Sequence, residues 1–136
     1  MIRVIAGKKG SGKTKRMIDE VNASVATAKG AIVFITDTNR FMYEIKHEVR
    51  YVNAKDYGVD CTRSLRAFLD GMIAGNADIE TVFIDGAARL ANTSVAEMKE
   101  FYEELEKVGQ KFGTRFVLTV SEAEDNLPDF VAKFHK

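Results

Sequence analysis

The sequence predicts an α/β fold, a three-layer α/β/α sandwich around a mostly parallel sheet. Three observations carry that prediction: short apolar runs rich in β-branched residues, amphipathic stretches of about 10 to 17 residues between them, and a Gly or a carboxylate where a run stops. A run that is apolar throughout suits a strand buried on both faces, and helices between successive strands enforce right-handed parallel crossovers. Ligands of such sheets bind at the carboxyl ends of the strands.

Ile2 to Ala6 is the first such run, and Gly7-Lys8-Lys9-Gly10-Ser11-Gly12 follows it at once. Met17, Ile18, Val21, Val25 and Ala28 then recur at helical spacing until Gly30. Ala31 to Ile35, bounded by Gly30 and Asp37, is a second buried strand. From Thr38 to Tyr57 two periods compete, because Phe41, Met42, Ile45 and Val49 fit a helix while Tyr43, Ile45, Val49 and Tyr51 fit strand alternation. The expectation here is a short helix followed by a strand from Val49 to Val52. Leu65, Phe68, Leu69, Met72 and Ile73 make a helical stripe that ends at Gly71 to Gly75. Ile79 to Ile84 is again a buried strand, stopped by Asp85-Gly86. Ser94-Val95-Ala96-Glu97 matches a capping box, which starts a helix carrying Val95, Met98, Tyr102, Leu105 and Val108 to about Gly109. Arg115 to Val120 is a further apolar strand, and Leu127 to Phe134 a short closing helix that tolerates Pro128 in its first turn.

A chain of 136 residues, 46% hydrophobic and 29% charged, suits one domain spanning residues 1–136. Twenty basic residues balance twenty acidic ones, so no global field holds the protein on nucleic acid or an anionic membrane. Apolar runs such as Ala31 to Ile35 are far too short to span a bilayer, and a Lys-rich Gly loop stands where a signal sequence would have its apolar stretch, so the expected location is the cytoplasm. Cys61 has no partner for an internal disulfide, and with only His47 and His135 beside it the chain cannot supply a four-ligand zinc site.

Gly7-Lys8-Lys9-Gly10-Ser11-Gly12-Lys13-Thr14 matches G-x-x-x-x-G-K-[ST] at every fixed position. Glycines let the backbone wrap phosphates with its amides pointing inward, and the helix that follows adds the positive end of its dipole. In that chemistry Lys13 bridges the β and γ phosphates and the Thr14 hydroxyl takes one Mg²⁺ position. From Met1 to Arg16 six residues are basic (Arg3, Lys8, Lys9, Lys13, Lys15 and Arg16) and none is acidic. Lys8, Lys9 and Lys15 can therefore assist phosphate binding or form a solvated basic surface. A carboxylate at the end of an apolar strand is the second part such a site needs, and Thr81-Val82-Phe83-Ile84-Asp85 supplies one; the plain alternative is an Asp-Gly turn.

With these two motifs the chain resembles the P-loop NTPases, Gly7 to Thr14 as Walker A and Val82 to Asp85 as Walker B. About 70 residues and two further strand candidates lie between the motifs, which resembles the RecA-like or additional-strand branch. The guanine motif Asn-Lys-x-Asp and the switch Asp-x-x-Gly of the GTPase branch are absent. In size and loop sequence the chain is similar to small bacterial ATP-binding proteins labelled twitching-motility-ATPase-like, although the acidic and His boxes of secretion and pilus ATPases have no counterpart here. The resemblance implies a P-loop NTPase fold, ATP with Mg²⁺ as ligands, and Lys13, Thr14 and Asp85 as the core of the site. Many additional-strand ATPases carry a Glu directly after the Walker B Asp to activate water, whereas this chain has Gly86. Asp37 or Glu122, each following a strand, can substitute; for Asp37 a helix N-cap is the alternative. Thr119 and Ser121 end a strand where RecA-like proteins often place a polar residue that senses the γ-phosphate. Arg89 can reach that phosphate in cis or act in trans as an arginine finger in a homo-oligomer, and otherwise is a helix-surface residue.

Three functions follow as expectations: a Mg²⁺-dependent ATP-binding protein with weak or partner-stimulated ATPase activity, a nucleoside or small-molecule kinase with Asp37 as base, and a nucleotide-binding module without turnover. His47 reads as a surface or half-buried residue, His135 as part of a frayed tail, Cys61 as a packed small residue, and most of the Tyr and Phe residues as core.

Overall fold

The computed structural model describes residues 1–135. In chain order the elements are β1 (Ile2–Ala6), α1 (Lys13–Ser24), β2 (Ala31–Thr36), β3 (Arg50–Asn53), α2 (Thr62–Gly75), β4 (Ile79–Ile84), α3 (Ala87–Leu90), α4 (Lys99–Phe112), β5 (Arg115–Val120) and α5 (Asp129–Ala132). Single 3₁₀ turns lie at Ala54–Tyr57, Val95–Glu97 and Glu124–Asn126. The five strands form one all-parallel sheet in the order β1-β5-β4-β2-β3. Period-two alternation sends Val4, Val33, Ile35, Val82, Ile84, Phe116 and Leu118 to one face, where they pack with Leu65 and Leu69 of α2 and Leu105 of α4. Ile5, Ile32, Phe34, Phe83 and Val117 point to the other face and pack with Met17, Ile18 and Val21 of α1. Helices thus cover both faces, as the fully apolar strands require. Among the described residues no helix is long and apolar enough to cross a membrane.

The segment between β2 and β3 is not a helix. Met42 N–H donates to Asn39 O, Glu44 N–H to Phe41 O and Val49 N–H to Lys46 O, isolated i→i−3 turns that do not join into an α-helical ladder. Asn22 on α1 fixes their course: its amide donates to Glu44 O at 2.7 Å and accepts from Lys46 N–H at 2.9 Å. Ile45 and Val49 are buried against the α1 face by this path, and β3 begins one residue later than its periodicity suggests. Tertiary anchoring has overridden a local pattern.

Other local expectations also change. Ser94 makes no side-chain cap; Val95–Glu97 form a 3₁₀ turn and α4 starts after Met98, which is sunk into the core. The capping box is instead at α2, where Cys61 Sγ accepts from Ser64 N–H at 3.4 Å and Ser64 Oγ accepts from Cys61 N–H at 3.0 Å. Cys61 is exposed, not packed. α4 continues past Gly109 to Phe112, since Gly109 turns its bare side toward the Thr114 carbonyl. α5 is limited to Asp129–Ala132, with Pro128 at the N-cap. Phe134 and His135 after it are not frayed: Val4 N–H donates to Phe134 O at 3.0 Å, and His135 bridges Val4 in parallel beside β1.

Candidate functional site

The carboxyl ends of β1, β2, β4 and β5 open into one cavity of about 880 Å³. Its first wall is the Gly loop. Gly7 N–H donates to Val120 O at 3.2 Å and ties the loop to the end of β5, and Ser11 N–H donates to Lys8 O at 3.0 Å to close the turn. Gly10 and Gly12 have φ of 84° and 87°, in the left-handed region, and so let the backbone double back into α1. Gly12 is the N-cap and the first turn of α1 contains no acidic residue, so the helix presents its positive end to the cavity without a side-chain counter-charge.

Lys13, at that first turn, is buried. Burial dominates its electrostatics and pushes the ammonium below the ordinary 10.5; the charge of Asp85 opposes this and that of Arg89 adds to it. Thr14 Oγ1 donates to Asp85 Oδ1 at 3.1 Å, so two motifs 71 residues apart meet directly. Asp85 is only 2% exposed. Thr119 Oγ1 donates to Oδ1 at 2.9 Å and Thr36 Oγ1 to Oδ2 at 3.4 Å, while Gly86 N–H donates to Thr119 Oγ1 at 2.9 Å. Three hydroxyls from three different segments thus hold one carboxylate.

Arg89, on the single-turn α3, folds back over the same point. Its Nε donates to Asp37 Oδ2 at 2.6 Å and its Nη2 to Asp37 Oδ1 at 3.1 Å, a bidentate pair. The Nη2 also lies 3.4 Å from the Asp85 carbonyl oxygen and 3.5 Å from Asp85 Oδ2. Gly86 makes this fold-back feasible: its φ is 78°, and a Cβ there would stand 2.5 Å from the Arg89 Cζ. Burial alone would raise the Asp37 carboxyl, but the Arg89 hydrogen bonds and charge, with Lys55 behind them, hold it below 3.8. Asp37 in turn holds Arg89 protonated, its hydrogen bond outweighing burial.

The structure therefore brings Lys13, Thr14, Asp37, Asp85 and Arg89 together, with Lys9, Gly10, Thr119, Ser121 and Glu122 on the same cavity wall. It leaves Lys15 on the outer side of α1, 3.6 Å from Asp19, and Lys8 and Ser11 exposed on the loop outside that wall. His47 is exposed, as expected of a surface residue. Thr36 escaped the sequence reading, although a hydroxyl closing an apolar run is a visible signal. Arg40 and Phe41 also escaped it; the Arg40 guanidinium lies 5.0 Å from the Phe41 ring centroid at the cavity mouth. Tyr102 is a core residue whose phenol burial pushes well up, and it lines the cavity as well.

Among the described residues no three His, Cys, Asp or Glu side chains gather into a cation site. What the site offers a cation is the Asp85 carboxylate beside the Thr14 hydroxyl, an all-oxygen pair suited to a hard ion that keeps most of its waters. Comparison with known proteins gives no matching family model and no matching curated protein.

Proposed function

We propose that this chain binds the triphosphate of ATP together with Mg²⁺, and that it hydrolyses the nucleotide weakly or only with a partner. The observation that carries the reading is the contact between Thr14 and Asp85, with Lys13 buried beside it under the Gly loop. A Gly-rich turn that matched the motif by chance would not direct its Thr hydroxyl at a strand-end carboxylate. The sheet order supports the same reading: β5 lies between the strand that carries the Gly loop and the strand that carries Asp85, the insertion expected of an additional-strand NTPase.

In this reading the loop amides and the α1 N-terminus cradle the phosphates, and Lys13 supplies a cation whose ammonium is already partly stripped of water. Thr14 and Asp85 are the residues that would hold Mg²⁺, which supplies charge neutralisation on the phosphates. Slow turnover follows from two positions beside Asp85 that do not supply a free water-orienting group. Gly86 has no side chain to orient water, and both oxygens of Asp37 are engaged by Arg89. The same engagement weakens the kinase reading, in which Asp37 must accept a proton from a substrate hydroxyl.

A thermal-shift and calorimetric series with ATP, ADP and GTP, with and without Mg²⁺, tests the proposal. ATP at a hundredfold excess over its dissociation constant stabilises by about 2.7 kcal/mol. Lys13→Ala should abolish most of that shift while the unliganded protein melts as before. Unchanged ATP affinity in Lys13→Ala overturns the reading.

A further inference from the structure

We propose that Asp37 is a built-in stand-in for the terminal phosphate: the two compete for Arg89, and the γ-phosphate displaces Asp37, which makes Arg89 the residue that distinguishes triphosphate from diphosphate. The inference rests on the nucleotide reading above and concerns the control of that same site.

Four observations support the exchange. The first is the form of the pair, since a planar guanidinium donating from Nε and Nη2 to two carboxylate oxygens uses the same fork that grips two oxygens of a phosphate. The second is reach. The Arg89 Nη2 is 3.5 Å from Asp85 Oδ2, Asp85 accepts from Thr14 on the phosphate loop, and the Arg89 charge is felt at Lys13. A small swing of a side chain that is half exposed therefore takes the guanidinium from Asp37 to an anion bound against Lys13 and Thr14. The third is Gly86. The guanidinium stands where a Cβ at this position would lie, 2.5 Å from the Arg89 Cζ, so a side chain after Asp85 would push Arg89 off the closed pair. The fourth is charge. Lys9, Lys13, Arg40 and Arg89 line the cavity against Asp37, Asp85 and Glu122, and a triphosphate that enters with Mg²⁺ presents Arg89 with a denser anion than one carboxylate. The exchange makes and breaks no covalent bond: it trades one ion pair for another and leaves Asp37, at the end of β2 beside the strand that ends in Asp85, without its guanidinium partner.

Calorimetry with a non-hydrolysable ATP analogue and with ADP, both with Mg²⁺, tests this on the wild type, Asp37→Asn, Arg89→Gln and the double variant. Thermal melts of each variant confirm folding. Freeing Arg89 by Asp37→Asn should tighten the triphosphate analogue on the order of fivefold, the range of a half-exposed ion pair, and change ADP by less than about twofold. Arg89→Gln should erase the preference for triphosphate over diphosphate, and Asp37→Asn added to it should have no further effect. An equal gain for ADP and the analogue in Asp37→Asn, or a gain that persists in the Arg89→Gln background, overturns the exchange, because either would mark a general charge effect. A wild type that binds neither nucleotide, with Asp37→Asn equally silent, overturns the nucleotide reading itself; a wild type that binds both while Asp37→Asn matches it overturns the exchange alone.

Discussion

Asp85 and Asp37 end neighbouring parallel strands in the same cavity, yet one is held by hydroxyls and the other by a guanidinium. Three hydroxyl donors fix the direction of the Asp85 carboxylate, and its contact with the Arg89 Nη2, at 3.5 Å, is looser than the bidentate pair that Arg89 makes with Asp37. Arg89 cancels the charge of Asp37 and takes both of its oxygens. Depth accounts for the choice. Asp85 is nearly sealed and its geometry is set by β2, β5 and the Gly loop together, whereas the Asp37 side chain is 14% exposed and its partner 50% exposed. Neutral donors at the buried position leave the carboxylate ready for a cation, and the movable cation at the rim makes the second carboxylate available only on condition that its partner leaves.

The largest effect should come from removing the acceptor at the buried position. Asp85→Leu leaves the buried Thr36 and Thr119 hydroxyls with no carboxylate to donate to, and two such lost acceptors cost about 2 to 5 kcal/mol in total. Asp37→Ala should cost under about 1 kcal/mol, because its partner can turn to water. Urea denaturation of both variants checks the contrast. Equal losses would mean that the two carboxylates are held in the same way after all.

Isosteric changes ask about charge and not about packing. Asp85→Asn should weaken Mg²⁺-dependent ATP binding on the order of tenfold and leave metal-free binding nearly as it was, while Asp37→Asn should leave the Mg²⁺ dependence itself unaltered. Titrating Mg²⁺ at fixed ATP decides the point; equal loss with and without the metal makes Asp85 a turn residue. The same variants affect Lys13 differently. The Lys13 ammonium is held below 10.5 mainly by burial and raised by Asp85, so its charge is lost as pH rises through that lowered value. ATP affinity should therefore decline on the alkaline side below pH 10.5, and Asp85→Asn, having removed the opposing charge, should bring the decline to lower pH.

What the sequence could show of this site follows from how local each cause is. The Gly loop was legible because its chemistry is in the backbone of consecutive residues, and Asp85 because an apolar strand that stops on a carboxylate is a contiguous signal. The pairing of Asp37 with Arg89 spans 52 residues, and no local pattern ties one to the other; in the sequence Gly86 stands only as the absence of a Glu, whereas in the fold the Arg89 guanidinium takes up the space beside it. The helix expected between β2 and β3 gave way to turns because Asn22, a residue of α1, supplies hydrogen bonds that no reading of residues 38–49 contains. Ser94 to Glu97 matched a capping box that does not form, while Cys61 and Ser64 form one from a sequence that lacks the usual residues, since the buried Met98 and not a cap decides where α4 begins. Strand identity survived all of this, because a run apolar on both faces has few places to go in a domain of this size.

The smallest effect, and the finest test of the contrast, is the pH and salt dependence of the Asp37 contribution. Its carboxyl is held below the ordinary 3.8 because Arg89 outweighs burial, so the folded state binds a proton there less readily than the unfolded chain does. Stability from the pair is therefore fully present above pH 3.8 and is lost as pH falls through the lowered folded value. The difference in unfolding free energy between wild type and Asp37→Asn should be constant from neutral pH down to about pH 5, then shrink to nothing in stronger acid. With a guanidinium half in water, that difference should stay below about 1 kcal/mol and fall further in about 1 M NaCl, where the Debye length is about 3 Å. Asp85 is nearly sealed and its closest contacts are to neutral hydroxyls, with Arg89 at 3.5 Å the one charged contact among the described residues, so the larger loss in Asp85→Leu should depend on salt far less than the Asp37 difference does. Urea titrations of both variants at two salt concentrations and three pH values measure all of this. A salt-independent Asp37 difference, or one that persists in strong acid, would mean that Asp37 is held by packing and that its pairing with Arg89 is incidental to the fold.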